Sequence, residues 1–161
     1  MLKTADEDVL IGKTTKIRKQ AMDLLSRREY SRLELKEKIE RRFDCSVSIE
    51  RVLEALIDEN LQSDARYTES FVKGRVRRGQ GFFRILRDIQ KKGIDCALLE
   101  VTCSKLNIDW SSLAIEVARR KVGGRLPNKA SDQAKLSRFL QYRGFDSDQT
   151  KQAVTSVTDR S

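Results

Sequence analysis

The chain repeats one short statement three times, and that repetition limits its fold more than any other feature. Leu35 with Ile39, Ile85 with Ile89, and Leu136 with Leu140 are apolar pairs four residues apart. Each pair is followed three residues later by a cation, Arg42, Lys92 or Arg143, and then by a chain reversal: Phe43-Asp44, Gly93-Ile94-Asp95 and Gly144-Phe145-Asp146. The copies lie about 50 residues apart, at the upper end of the periods that mark helical arrays. Stacked helical repeats usually present a binding surface. The pattern therefore predicts a protein that grips another macromolecule.

Other residue types narrow the function by their scarcity. The 161 residues contain no histidine, which excludes Ser-His-Asp and Cys-His catalysis and histidine-ligated metals. Cys45, Cys96 and Cys103 are odd in number and form no Cys-x-x-Cys pair, so they are expected to be small apolar side chains rather than a disulfide framework or zinc site. Gly79-Gln80-Gly81 has no preceding strand and reads as a helix stop and tight turn, not a phosphate loop. No apolar run approaches the roughly 20 residues of a membrane span, and the acidic MLKTADEDVL start is unlike a signal peptide. A soluble, cytoplasmic, non-enzymatic monomer that needs no metal or cofactor is expected.

The charge is concentrated. The net charge is +9, and most of it lies between Arg66 and Lys92. There Lys73, Arg75, Arg77, Arg78, Arg84, Arg87, Lys91 and Lys92 join Arg66 against Glu69 and Asp88 alone. A second cluster, Arg119-Arg120-Lys121 with Arg125 and Lys129, holds no acid. Single basic runs are often solvated helix faces; two together favour an anionic partner, nucleic acid or acidic protein.

Along the chain, residues 1–14 lack a helical period and are expected to be a flexible tail. Residues 15–62 read as a first three-helix repeat. Ile17, Ala21, Leu24 and Leu25 stripe its first helix, from about Thr15 to Arg28; Ser31 with Glu34 forms a capping box, and Ser48 caps the third helix. Residues 63–108 form the second, capped at Asp64 and Asp95, with Gly74 tolerated inside a basic helix. Residues 109–161 form the third, capped at Asp109 and Asp146 and interrupted by a loop with the only proline, Pro127. Trp110 falls on an apolar stripe and is expected in the core, and Tyr142 and Phe145 are expected as core or turn anchors.

Four stretches carry a resemblance. They are Ala21 to Arg28 with Ser31, Glu34 and Leu35; Asp64 to Tyr67 with Gly81, Ile85 and Lys92-Gly93-Ile94; Ile108-Asp109-Trp110 with Ala118 to Lys121; and Phe139 to Phe145. In order and spacing they resemble the RecX family, bacterial modulators of the recombinase RecA. The resemblance implies an all-α fold: a tandem array of three three-helix repeats, elongated and curved. It also implies binding in the groove of the RecA filament on single-stranded DNA, reducing ATP hydrolysis, strand exchange and co-protease activity. Many family members have a basic residue and glycine at the first reversal, where this chain has Arg42-Phe43; Phe43 takes a left-handed backbone at a cost glycine avoids, so a differently built first turn is expected.

The candidate contacts are Lys73, Arg75, Arg77, Arg78, Arg84, Arg87, Lys91, Lys92, Arg119, Arg120 and Lys121, making charge-assisted bonds to carboxylates or phosphates. Single- or double-stranded DNA is a possible weaker partner. The alternative is a basic helical module acting directly on DNA, for which the chain shows no evident base-reading helix.

Overall fold

The structure, a computed structural model, describes the backbone of residues 2–159 and the side chains of residues 6–159; Met1 of the expected tail and Arg160 and Ser161 of the expected third repeat lie outside them. The described residues form helices joined by turns: α1 (Leu2–Leu25), α2 (Arg32–Glu40), α3 (Ser46–Asp58), α4 (Asp64–Arg77), α5 (Phe82–Gln90), α6 (Cys96–Lys105), α7 (Trp110–Val122), α8 (Ala130–Tyr142) and α9 (Ser147–Thr158). The fold is all-α, and no strand occurs among the described residues. The apolar pairs that announce the repeat are all buried: Leu35 and Ile39 on α2, Ile85 and Ile89 on α5, Leu136 and Leu140 on α8.

The chain divides into two compact units, with the boundary inside α4. Unit one holds the chain up to Ser70 and the short segment Lys92–Ile94. Its core is Ile17 and Ala21 of α1, Leu35 and Ile39 of α2, and Ile49, Val52, Leu53 and Leu56 of α3, with Tyr30 closing one side. Unit two holds Phe71–Lys91 and the chain from Asp95. There α7 packs most extensively on α9 and α8 contacts both, burying Ala114, Val117, Ala118, Leu136, Leu140, Phe145, Ala153 and Val157. The three thiols are free; burial pushes that of Cys103 up to about 11.

Several local expectations are corrected. The helix expected from Thr15 begins at Leu2, so the predicted tail is helical from that point. Its early turns carry no apolar stripe, and Val9 and Ile11 there are exposed. A helix nucleated on the packed Ile17–Ala21 turn extends outward at one hydrogen bond per residue, and periodicity reports burial, not helicity. Ser48 is not a cap: α3 starts at Ser46 after Cys45, and the buried Ser48 hydroxyl accepts from the Cys45 thiol at 3.1 Å. Asp64 is the first helical residue of α4. Ser63 Oγ takes the Arg66 N–H, while Asp64 Oδ1 takes the Arg32 N–H at 2.8 Å. Ser31 does cap α2 through the Glu34 N–H, but the Glu34 carboxylate is drawn away to Arg28 and Lys92, at 3.0 and 3.4 Å, instead of closing the box. The caps at Asp95 and Asp109 and the capping box of Asp146 with Gln149 are present.

The same turn device recurs in both units. Gly93 (φ +77°) ends the α5 reversal with a space for Cβ only 3.0 Å from Leu33 Cβ at the start of α2. Gly144 (φ +97°) ends the α8 reversal, and a Cβ there would collide with the Arg84 backbone nitrogen. Phe43, at the matching place after α2, has no positive φ; its N–H bonds to Ile39 O at 3.1 Å and its ring packs half-buried on the unit-one core. The first turn is thus built differently, as Phe43 requires.

Two expectations follow. Gly81 has an ordinary φ near −84°, but a Cβ on it would lie 2.5 Å from the Gly144 carbonyl. Gly81→Ala should therefore destabilise by about 1–3 kcal/mol through overpacking alone, whereas Gly74→Ala, whose Cβ would meet nothing within 4 Å, should stabilise by about 1 kcal/mol; thermal melts of the two variants check the contrast. The second concerns pH. Burial pushes the Glu34 carboxyl up, but the Arg28 hydrogen bond and the charges of Arg28 and Lys92 outweigh it and hold the group below its ordinary value. With the folded value below the unfolded one, the stabilisation is present above about pH 4.3 and is lost as pH falls through the lowered value. Glu34→Gln should flatten the loss of melting temperature between about pH 6 and pH 3.

Candidate anion-binding cleft

The basic segment does not act as one surface. In unit one, Arg66 pairs with Glu29 at 2.9 Å and Lys92 with Glu34, so both are committed to structure. In unit two, Asp88 gathers three arginines: Arg75 at 3.1 Å, Arg84 at 3.5 Å and Arg87 at 3.9 Å. Arg75 also bonds Gln80 and lies over the Phe71 ring, which makes it a brace for α4 and α5. Arg84 packs over the Tyr142 ring. Arg77 is exposed and bonds back to the Lys73 carbonyl; Lys73, Lys91 and Arg119 are also exposed.

Three of the predicted residues do converge. Arg78, Arg120 and Lys121 line one cleft of about 270 Å³, with Gly79, Val117, Phe139 and Arg143. The α4–α5 turn brings Arg78 there: Gly79 (φ +73°) sits so close to α7 that a Cβ would meet Val117 Cγ2 at 2.7 Å. Arg143 is fixed by donating from Nη1 to the Arg78 carbonyl at 2.7 Å, and its own carbonyl accepts the Gly81 N–H at 2.8 Å. Arg120 and Lys121 come from the last turn of α7, where cations also complement the negative helix end.

The lining holds four cations and no carboxylate. Lys121 Nζ and the Arg143 guanidinium both lie over the Phe139 ring, 4.8 and 5.1 Å from its centroid. Among the described residues, no ion pair neutralises Arg78, Lys121 or Arg143. Arg120 reaches Glu116 one turn back, but both side chains are well exposed. Such a pair is worth at most about 1 kcal/mol, so an anion entering the cleft can displace Glu116. An apolar floor of Phe139 and Val117 under a cationic rim suits a phosphate or carboxylate held by charge-assisted bonds. Arg143 is the member missed by charge counting, because it stands alone in sequence; its signal was its repeat position, matching Lys92. No group of three or more His, Cys, Asp or Glu side chains able to hold a metal occurs among the described residues, and no helix there is long and apolar enough to cross a membrane.

The fold and cleft define an all-α, basic, three-helix-repeat protein, and comparison with known proteins identifies which kind. The family model described as RecX, second three-helix domain, matches residues 63–100, and that described as RecX, third three-helix domain, matches residues 109–154. A regulatory protein RecX of Pseudomonas fluorescens is 41% identical over 140 residues, covering 87% of this chain and 90% of its own. One from Ectopseudomonas mendocina is 41% identical over 132 residues, covering 82% and 88%. The crystal structure of RecX from Lactobacillus salivarius aligns with a TM-score of 0.80 at 22% identity over 91% of this chain and 97% of its own. The chain belongs to the RecX family of regulatory proteins.

The cleft predicts a split between its members. Lys121→Ala should reduce binding to an anionic partner several-fold and the salt slope by about one with little change in melting temperature. Arg143→Ala should lower both affinity and melting temperature, since it also removes the bond to the Arg78 carbonyl. Fluorescence anisotropy across a salt series, paired with thermal melts, separates the two effects.

Proposed function

We propose that this protein regulates the RecA recombinase by binding the RecA filament on single-stranded DNA, and that it thereby reduces ATP hydrolysis, strand exchange and co-protease activity. It acts in the cytoplasm, without catalysis of its own, as a monomer. Each three-helix repeat serves as a module of the binding surface. Membership of a regulatory family supports this reading. The observation that carries it is the cleft lined by four cations and no carboxylate. A filament that exposes acidic side chains and DNA phosphates supplies the matching charge. Of the candidate residues, Arg78, Arg120 and Lys121 are the proposed contacts, and exposed Lys73, Arg77, Lys91, Arg87 and Arg119 extend the field around them.

ATP hydrolysis by RecA on single-stranded DNA, with this protein titrated in at physiological salt, tests the reading. The wild-type protein should inhibit. A variant combining Arg78→Ala, Arg120→Ala and Lys121→Ala should need about tenfold more protein for the same inhibition while keeping its helicity. Unchanged inhibition by that variant would place the interface on another face. Absence of inhibition by the wild type, with salt-sensitive binding to bare DNA, would replace the filament reading with direct action on DNA.

A further inference from the structure

Two aromatic side chains of unit two stand outside every core: Tyr142 is 70% exposed and Phe83 55% exposed. Tyr142 was expected as a core or turn anchor, a role that Phe145 does fill at 3% exposure. The fold joins the backbone segments that carry them. The Phe83 N–H donates to the Gly144 carbonyl at 3.0 Å, which sets the first turn of α5 against the residues that follow Tyr142.

Tyr142 is also held in orientation. The Arg84 guanidinium lies 5.0 Å from its ring centroid, and Asp88 on the next turn anchors Arg84. Phe83 is braced edge-on against Phe82, which in turn meets Trp110 edge-on. Arg87 follows on the same helix with its side chain 59% exposed. The result is two exposed rings with two arginines, Arg84 and Arg87, and a single carboxylate, Asp88, beside them.

That chemistry selects its ligand. An apolar protein partner would meet the Arg84 guanidinium at the Tyr142 ring and the exposed Arg87 one turn along the helix from Phe83. A duplex keeps its base faces stacked internally. An unpaired nucleobase offers a flat face to a ring, and its phosphates offer negative charge to the arginines; this combination of stacking and cationic groove is how single strands are held without sequence preference. We propose that Tyr142, with Phe83, Arg84 and Arg87, forms a stacking platform for unpaired bases of single-stranded nucleic acid. The proposal rests on the nucleic-acid side of the functional reading but uses residues separate from the cleft.

The test needs no recombinase, so its outcome is independent of the filament reading. Affinity is measured by anisotropy for an oligothymidine and for an abasic oligomer of equal length, which has the same phosphates and no bases. The wild-type protein should prefer oligothymidine. Tyr142→Ala should lose about tenfold on oligothymidine and little on the abasic strand, while Tyr142→Trp should keep the preference. The proposal is overturned if Tyr142→Ala binds oligothymidine like the wild type, if it loses equally on both strands, or if the wild type shows no preference for bases. In each of those cases inhibition of RecA ATP hydrolysis, measured separately, still decides the filament reading.

Discussion

The arrangement of unit two depends on a clasp between two turns. The Gly81 N–H donates to the Arg143 carbonyl, the Phe83 N–H donates to the Gly144 carbonyl, and the Arg143 side chain returns a bond to the Arg78 carbonyl. Two of the three are main chain to main chain, across more than sixty residues of sequence. The clasp brings the end of α4 beside the end of α8, and everything chemically interesting gathers there. Arg78 meets Arg143 because of it, and Arg84 meets the Tyr142 ring because of it. Unsatisfied backbone groups at helix ends are normally left to water or caps; here two helix ends satisfy one another.

The distribution of carboxylates then decides which cations remain available. In unit one Glu34 takes Arg28 and Lys92, and Glu29 takes Arg66. In unit two Asp88 serves three arginines on its own. The position after Leu33 on α2 is Glu34, and the equivalent position after Phe83 on α5 is Arg84. One repeat thus neutralises the incoming cation of its turn, whereas the next presents a cation of its own to Tyr142. The charge reversal separates the two turns: Glu34 pairs with Lys92, whereas Arg84 lies at the Tyr142 ring.

Much of the fold was legible because burial imposes periodicity: every i, i+4 pair of the repeat is buried, and the caps at Asp95, Asp109 and Asp146 hold. What lacked a signal was structure without burial. The early turns of α1 carry no stripe, and Tyr142, at a position that reads as helix end, gave no sign of standing in solvent. Local cap patterns at Ser48 and Asp64 failed because α3 already begins at Ser46 in one case and the Asp64 carboxylate takes the Arg32 N–H in the other. For the site, charge runs indicated the right segments but could not sort braces from contacts. Arg75 and Arg78 are three residues apart and differ in that one faces Asp88 and the other the cleft.

A seam written mainly in backbone atoms has an evolutionary corollary. It requires almost nothing of side-chain identity except that no Cβ intrude at Gly81 and Gly144. The surrounding positions are thus free to drift, and chains that share barely a fifth of their residues can still superimpose, as the Lactobacillus salivarius structure does at 22% identity. Such an architecture lets the surface change residue by residue while the skeleton beneath it stays put.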